Sequence, residues 1–236
     1  MSPFVAELVG TALLIVLGDG VVANVVLNKT KGNNSGWIVI TFGWGIAVFV
    51  GVYAATTLGS GGHLNPAVTI ALASLGQFEW SMVGQFIAAQ MIGAMAGAFI
   101  VWVCYRNHFD ETDNAGSQLA VFSTGPAIRS PLNNFINEVV GTFVLVIGVL
   151  LMSKAEMKLG TLDALPVGLL VLGIGLSLGG TTGYAINPAR DLGPRIMHAV
   201  LPMKHKGSSD WGYAWIPVFG PILGGLLATL VFRAIS

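Results

Sequence analysis

The chain has 236 residues, of which 54% are hydrophobic and only 9% are charged, and its mean hydropathy is +0.76. About a quarter of the residues in a typical soluble domain are charged, so this composition excludes a soluble enzyme and indicates a surface that faces mostly lipid. Basic and acidic residues number 11 each, which gives no reason to expect nucleic acid as a partner. The single cysteine, Cys104, excludes an intrachain disulfide framework and a cysteine-based zinc site.

Six apolar stretches are long enough to cross a membrane as helices, which takes about 20 residues. They cover residues 4–27, 37–58, 81–104, 132–153, 163–181 and 212–233. The first stretch has no positive region before it and is too long for the core of a signal peptide, so we interpret it as a membrane span. Polar segments separate the spans at residues 28–36, 105–131, 153–162 and 203–211. The sequence therefore predicts an all-α membrane protein.

Two further apolar segments, from Asn65 to about Gly76 and from Asn187 to about Val200, are too short to span a membrane. Each begins with the same triplet, Asn65-Pro66-Ala67 in one case and Asn187-Pro188-Ala189 in the other. Asparagine is a good helix N-cap, and proline fits the first turn, where its missing N–H costs nothing. Each segment is therefore predicted to be a re-entrant half-helix that begins inside the membrane, against a cavity or buried in protein.

The two halves of the chain repeat. Residues 6–11 (AELVGT) parallel residues 137–142 (NEVVGT), and the two Asn-Pro-Ala triplets lie 122 positions apart. Each half holds three spans with its half-helix between the second and third, and an odd number of spans reverses the orientation of the second half. This pattern predicts an inverted repeat with its functional site at the midplane. We expect one transmembrane domain over 1–236, with repeat 1 at about 1–110, a connecting loop at about 105–131 and repeat 2 at about 132–236.

Residues 60–69 (SGGHLNPAVT) and 182–194 (TGYAINPARDLGP) resemble the aquaporin family, also called the major intrinsic proteins, and the likeness covers nearly the whole chain. The resemblance implies six transmembrane helices and two half-helices that meet head to head. It also implies a homotetramer with one pore per subunit, embedded in the lipid bilayer. Such a protein is a passive channel, so the resemblance implies no enzymatic activity, no catalytic residue, no cofactor and no metal.

The resemblance further implies cytoplasmic termini, and the short tails suit a bacterial plasma membrane. The distribution of positive charge favours the opposite orientation. With cytoplasmic termini, the cytoplasmic side carries Lys154, Lys158 and Arg233, whereas the other side carries Lys29, Lys31, Arg106, Arg129, Lys204 and Lys206. We adopt the family orientation over the charge count.

By resemblance, four residues form the selectivity filter: Trp44, Gly175, Tyr184 and Arg190. Water-selective members usually have histidine at the position of Gly175, so glycine is expected to leave room beside Trp44. The two aromatic rings then offer an apolar corner and Arg190 offers several N–H donors, an arrangement that suits a polyol. An aspartate at the position of Asp191 also resembles the pattern of the glycerol-conducting branch. Within the family, this chain is most similar to bacterial glycerol facilitators.

The two half-helix N-termini place positive dipole ends at the midplane, and Asn65 and Asn187 can direct side-chain N–H groups into the pore. Aquaporin pores are an established example of cation and proton exclusion by this arrangement. The resemblance adds backbone carbonyls as acceptors along the pathway, from Gly61, Gly62 and His63 in one loop and from Thr182, Gly183 and Tyr184 in the other.

The predicted solutes are glycerol and other small neutral molecules, together with water. Facilitators commonly have phenylalanine where this chain has Tyr184, and the added hydroxyl extends the prediction to dihydroxyacetone and undissociated lactic acid. A strict water channel is one alternative. A proton-coupled secondary transporter is another, with Glu7, Asp19 and Glu138 as coupling sites inside the spans. The resemblance instead makes Glu7 and Glu138 structural acceptors for the loops that lead into the half-helices, and the sequence assigns no role to Asp19.

Overall fold

The computed structural model describes residues 1–153 and 160–236, and within these ranges the only regular elements are helices. Lys154, Glu156 and Lys158 of the predicted 153–162 segment lie outside the described residues. Six helices are long and apolar enough to cross a membrane, which confirms the predicted fold class. They are α1 (Pro3–Val26), α2 (Trp37–Thr57), α4 (Trp80–Asp110), α6 (Pro131–Met152), α7 (Ala164–Leu178, preceded by the 3₁₀ turn Gly160–Asp163) and α9 (Ile216–Ile235). Three shorter helices are α3 (Pro66–Ser74), α5 (Ala115–Phe122) and α8 (Pro188–Val200).

The segment predicted as a connecting loop at 105–131 is partly helical. Helix α4 continues past its apolar stretch to Asp110, and the buried ring of Phe109 anchors its last turn. Helix α5 follows, and the side chain of Asn114 caps it by accepting a 2.8 Å hydrogen bond from the Ser117 N–H. Phe122 at its end packs against Phe109, with the two ring centroids 5.5 Å apart. The loop is therefore a folded part of the single bundle.

The helices pack as an inverted repeat. Helix α1 packs against α4 in the first half, and α6 packs against α9 in the second. Half-helix α3 packs mainly on α9 of the other half, and half-helix α8 mainly on α4. Each half-helix thus packs against the repeat to which it does not belong. This packing holds the N-termini of α3 and α8 together in the centre of the bundle.

Paired glycines bring the main helices into backbone contact. A Cβ on Gly93 of α4 would lie 2.4 Å from the Leu8 carbonyl oxygen of α1, and one on Gly224 of α9 would lie 2.2 Å from the Val139 carbonyl oxygen of α6. Such distances leave no space for a side chain, which is the usual reason for small residues at helix contacts in membranes. The spacing Gly93-x3-Gly97 and its counterpart Gly220-x3-Gly224 are therefore helix-packing motifs.

Ion pairs join the loops at the end of the bundle opposite the termini. Lys29 pairs with Glu111, and Arg129 pairs with Asp210. The ammonium of Lys29 donates a hydrogen bond to Glu111 and lowers the pKa of that carboxyl below its ordinary value. Because both pairs are largely exposed, they contribute little to stability, but they neutralise two of the positive charges on this side.

Candidate solute pathway

The two half-helices are capped and cross-linked by their asparagines. The side-chain oxygen of Asn65 accepts from the Ala67 N–H at 2.9 Å, and that of Asn187 accepts from the N–H groups of Ala189 and Arg190 at 3.0 and 3.2 Å. Each side-chain nitrogen donates across the midplane to a carbonyl of the opposite half. The two bonds are Asn65 Nδ2 to the Ile186 carbonyl at 2.7 Å and Asn187 Nδ2 to the Leu64 carbonyl at 2.8 Å.

The carbonyls that accept these bonds belong to strained residues. Leu64 and Ile186, each immediately before an asparagine cap, have φ of 51° and 44°. A left-handed conformation is unfavourable for non-glycine residues and most of all for a β-branched one such as Ile186. Sequence rules place glycine or asparagine at such positions, so the sequence contains no signal for this turn. The strain is maintained at the point where the two halves of the chain meet.

Glu7 of α1 organises the first loop. Its carboxylate accepts hydrogen bonds from the Ser60 hydroxyl, the His63 and Leu64 N–H groups and the Gln90 amide, at 2.8–2.9 Å. The Gln90 amide also donates to Thr69 of α3 at 3.0 Å, so one side chain of α4 joins the carboxylate to the half-helix. Gln90 was not among the residues singled out from the sequence, although a polar residue inside a span is a usable signal.

Glu138 of α6 is placed in the equivalent way in the second half. It accepts hydrogen bonds from the Thr182 hydroxyl at 2.7 Å and from the Ala185 and Ile186 N–H groups at 3.0 and 2.8 Å. The two carboxylates are fully buried, and loop donors occupy the oxygens that a proton-coupled transporter would need. These contacts are the hydrogen bonds that the family resemblance implies, and they hold each loop in place before its half-helix begins.

A cavity of ≈ 150 Å³ lies where the half-helices meet. Its polar lining includes Asn65, Asn187 and Arg190, together with residues 61–64 of the first loop. The lining also includes six aliphatic side chains, those of Leu14, Val48, Val52, Val68, Leu145 and Val171. The cavity therefore combines hydrogen-bonding groups with hydrocarbon surface.

Trp44 and Arg190 both border the cavity, and their side chains contact each other. The guanidinium carbon lies 4.0 Å from the centroid of the indole, which is a cation–π contact. Behind the indole is Gly18 of α1, where a Cβ would lie 2.2 Å from the Trp44 ring. Only glycine permits the indole to lie this close to α1. The sequence offered no reason to connect Gly18 with Trp44.

Gly175 does not itself border the cavity, and a neighbouring side chain fills the room that the glycine leaves. The Tyr184 ring occupies that space, because a Cβ on Gly175 would lie 2.7 Å from Cζ of the tyrosine. Tyr184 reaches this position from a backbone with φ of 39°, and Trp37 contacts its ring edge to face at 5.9 Å. The Trp37 indole N–H also donates to the Gly175 carbonyl at 3.0 Å. Gly175 is therefore the surface on which the Tyr184 ring lies.

In the second loop, the residues that border the cavity come later in the chain than the predicted ones. Thr182 and Gly183 do not border it, whereas Tyr184, Ala185 and Ile186 do. Thr182 instead turns inward to donate to Glu138, and Gly183 packs on Thr124, whose Cβ would lie 3.2 Å from a Cβ on the glycine. In the first loop, Gly61, Gly62 and His63 border the cavity. Of the two triplets only the asparagines do, because Pro66, Ala67, Pro188 and Ala189 are buried in the first turns of their helices.

An ion pair on α8 ties this end of the cavity to the outer loops. Arg195 and Asp191 are both fully buried, with Nε 2.8 Å from Oδ1. The guanidinium also donates to the carbonyls of Ser209 and Thr124, at 2.7 and 2.9 Å. Asp191 accepts from the Thr124 N–H and hydroxyl at 2.8 and 2.7 Å. The pair thus fixes two loops around the half-helix that carries Arg190, a role for Arg195 that the sequence does not reveal. Within residues 1–153 and 160–236, no cluster of three or more His, Cys, Asp or Glu side chains could hold a metal ion.

Comparison with known proteins gives a consistent result. Residues 1–232 match the family described as Major intrinsic protein. The chain is 55% identical over 232 residues to the glycerol uptake facilitator protein of Streptococcus pneumoniae, with 98% of each chain covered. It is 56% identical over 233 residues to the probable glycerol uptake facilitator protein of Thermotoga maritima, with 99% of each chain covered.

Among solved structures, the chain resembles the X-ray structure of the aquaglyceroporin from Plasmodium falciparum. The TM-score is 0.86 at 32% sequence identity, and the match covers 97% of this chain and 93% of that one. The shared fold agrees with the matched family and with the six spans and two half-helices described above. The chain therefore belongs to the major intrinsic protein family.

Proposed function

We propose that this protein is a passive channel that carries glycerol and other small neutral solutes, together with water, across the membrane. The observation that carries the proposal is the cavity where the half-helices meet, which is lined by Arg190, Asn65 and Asn187 together with aliphatic side chains. Relatives at 55–56% identity are named glycerol uptake facilitators, which supports glycerol as the solute. The chain is a channel and not an enzyme.

The geometry accounts for selection of a polyol. A glycerol molecule can lay its carbon backbone on the Trp44 and Tyr184 rings while its hydroxyls accept hydrogen bonds from Arg190. One N–H of each asparagine amide is engaged across the midplane, and the amide group has a second N–H to offer a solute. Carbonyls of residues 61–63 and 184–186 are the proposed acceptors that replace water around the hydroxyl protons. Gly175 contributes to the filter indirectly, by allowing the Tyr184 ring to lie back against α7.

The Tyr184 side chain also suits solutes that carry a carbonyl or carboxyl group. The Tyr184 hydroxyl is buried and has no hydrogen-bond partner within the described residues. We therefore include dihydroxyacetone and undissociated lactic acid among the proposed solutes, because each can bring its own polar group to that hydroxyl. Replacing Tyr184 with Phe should lower the flux of these two solutes more than that of glycerol, and equal effects on all three would refute this extension.

The channel is proposed to be a homotetramer in a bacterial plasma membrane, with cytoplasmic termini. A stripe of exposed apolar side chains on α2, formed by Ile38, Phe42 and Ile46, supports contact with lipid or with a second copy. Light scattering coupled to size-exclusion chromatography in detergent would measure the subunit number directly. A monomer in detergent, from a preparation that still conducts glycerol after reconstitution, would contradict the tetramer and leave the channel proposal intact.

Stopped-flow light scattering on proteoliposomes tests the function. A glycerol step should produce shrinkage and then fast re-swelling, whereas an impermeant sugar should produce shrinkage alone. Fast shrinkage without re-swelling would identify a strict water channel. Accumulation of glycerol against its gradient when a proton gradient is applied would identify a transporter and overturn the proposal.

A further inference from the structure

We propose that Asp19 is a specificity-determining residue of the filter, where it positions Arg190 and compensates its charge. Asp19 lies on α1 and is fully buried, with Oδ1 3.8 Å from Nη1 of Arg190. Neither carboxylate oxygen has a hydrogen-bond partner within residues 1–153 and 160–236. A buried carboxylate requires compensation, and the guanidinium is the cation placed beside it.

The neighbouring charges are already paired with each other, which leaves Asp19 as the partner of Arg190. Asp191 follows Arg190 directly in the chain, but both of its oxygens bond the Arg195 guanidinium, at 2.8 and 3.1 Å. The cluster of four side chains thus separates into two ion pairs of opposite charges, Asp19 with Arg190 and Asp191 with Arg195. The filter therefore offers the N–H donors of an arginine without the field of an uncompensated cation.

The position of Asp19 also explains why two adjacent residues of α1 matter to the filter. Gly18 lies directly against the Trp44 indole, and Asp19 lies beside the guanidinium that contacts the same indole. The stack of Trp44 and Arg190 is consequently held from one helix turn of α1. Loss of the carboxylate would release the guanidinium from one side of this stack.

Charge compensation has a consequence for selectivity. An uncompensated guanidinium binds carboxylates strongly and in bidentate geometry, so in a narrow pathway it would capture small organic anions and obstruct neutral solutes. With Asp19 in place, Arg190 can bond hydroxyls without retaining anions. Asp19 thus favours neutral polyols over anions of similar size, an inference that rests on the proposed function.

The first test measures whether anions inhibit glycerol flux. Proteoliposomes of the wild type and of Asp19→Asn are compared in sodium formate and in sodium gluconate, whose anion is too large for the filter, at equal ionic strength. We expect formate to leave the wild type unaffected and to lower glycerol flux through Asp19→Asn severalfold. Equal flux in the two salts for Asp19→Asn would overturn the proposal. Absence of glycerol flux in the wild type would instead refute the proposed function, so the two failures are distinguishable.

A matched control separates charge from the loss of a buried polar group. Thr11 also lies on α1, is fully buried and has a hydroxyl without a hydrogen-bond partner in the described part of the chain. Thr11→Val should show no formate sensitivity. If Thr11→Val acquires the same sensitivity as Asp19→Asn, the effect comes from general loosening of α1 and the proposal is wrong.

A second pair of variants tests the charge without any glycerol measurement. Arg190→Val leaves the Asp19 carboxylate unpaired beside the cavity, so we expect a proton leak, measured with a pH-sensitive dye trapped in the vesicles. Adding Asp19→Asn to that variant should reduce the leak severalfold, because no charge then remains. An equal leak in the single and double variants would show that Asp19 does not set the charge of the filter.

Discussion

Replacing Gly175 with alanine tests how the filter obtains its width. The added Cβ would lie 2.7 Å from Cζ and 2.8 Å from the hydroxyl oxygen of Tyr184, and 2.9 Å from Cγ2 of Thr41. Carbon atoms prefer separations of about 3.5–4.0 Å, so the tyrosine ring must move by roughly 0.8 Å or more. Trp37 and the backbone near Gly179 confine the ring on the side of α7. The ring is therefore expected to move toward the cavity.

The expected magnitude follows from the energy of overpacking. Inserting a methyl group into a packed site costs about 1–3 kcal/mol, and if that cost is added to the barrier for glycerol, its permeability falls roughly five- to hundredfold. Water is a smaller molecule than glycerol, so its permeability should fall less. Stopped-flow light scattering on the same vesicles measures both permeabilities, with the amount of inserted protein determined for each preparation.

The helix provides a matched control for this experiment. A Cβ on Gly173, two residues earlier on α7, would meet nothing within 4 Å, so Gly173→Ala should leave both permeabilities unchanged. Combining Gly175→Ala with Tyr184→Ala should restore glycerol flux, because the ring that was displaced is then absent. If Gly175→Ala conducts glycerol as well as Gly173→Ala does, the Tyr184 ring does not limit the pathway and the reasoning fails.

Three further substitutions have defined outcomes. Gly18→Ala would place a Cβ 2.2 Å from the Trp44 ring, so the indole must shift and glycerol flux, measured by stopped flow, should be lost in a folded protein. Glu138→Gln should lower the free energy of unfolding by about 1.5–3 kcal/mol for each loop hydrogen bond that the amide can no longer accept. The measurement is the thermal midpoint in detergent, which should fall. Arg195→Met leaves Asp191 buried without its cation, which should cost about 3–5 kcal/mol and lower the same midpoint.

Two substitutions serve as controls for these experiments. A Cβ on Gly20 would make only an ordinary contact, 4.0 Å from Val101 Cγ2, so Gly20→Ala should retain glycerol flux. Loss of flux in Gly20→Ala as well would remove the argument from Gly18. Glu111→Gln removes an exposed ion pair and should leave the thermal midpoint nearly unchanged. A similar midpoint for Glu111→Gln and Glu138→Gln would show that the loop bonds of Glu138 are not stabilising.

The sequence contains enough information to predict the spans and the half-helices. Apolar length identifies the six transmembrane helices, and the Asn-Pro pairs mark where α3 and α8 begin, at Pro66 and Pro188. Both are local signals that depend on hydropathy and capping. The last turns of α4 and the whole of α5 were missed because they depend on tertiary contacts of Phe109 and Phe122, which a hydropathy pattern does not report.

The proposed filter residues follow from the family resemblance, but their arrangement could not be predicted. That the Tyr184 ring fills the room left by Gly175 could not be predicted, because the direction of the ring depends on a left-handed backbone that no residue in that loop indicates. Gly18 and Asp19 were not connected with Trp44 and Arg190 because they lie far away in the chain and meet them only through packing of α1. Chemistry that depends on which side chains face each other across helices requires coordinates.

The hydrogen bonds from Asn65 and Asn187 to the opposite loops affect the temperature dependence of transport. Transporters built from inverted repeats work by rocking one repeat against the other. Here both asparagines bridge the repeats with hydrogen bonds that a rocking motion would have to break, so rocking would be costly. The pathway consequently does not have to change shape during each passage. Its activation energy should be set by the removal of water from the solute and should lie close to that of diffusion in water.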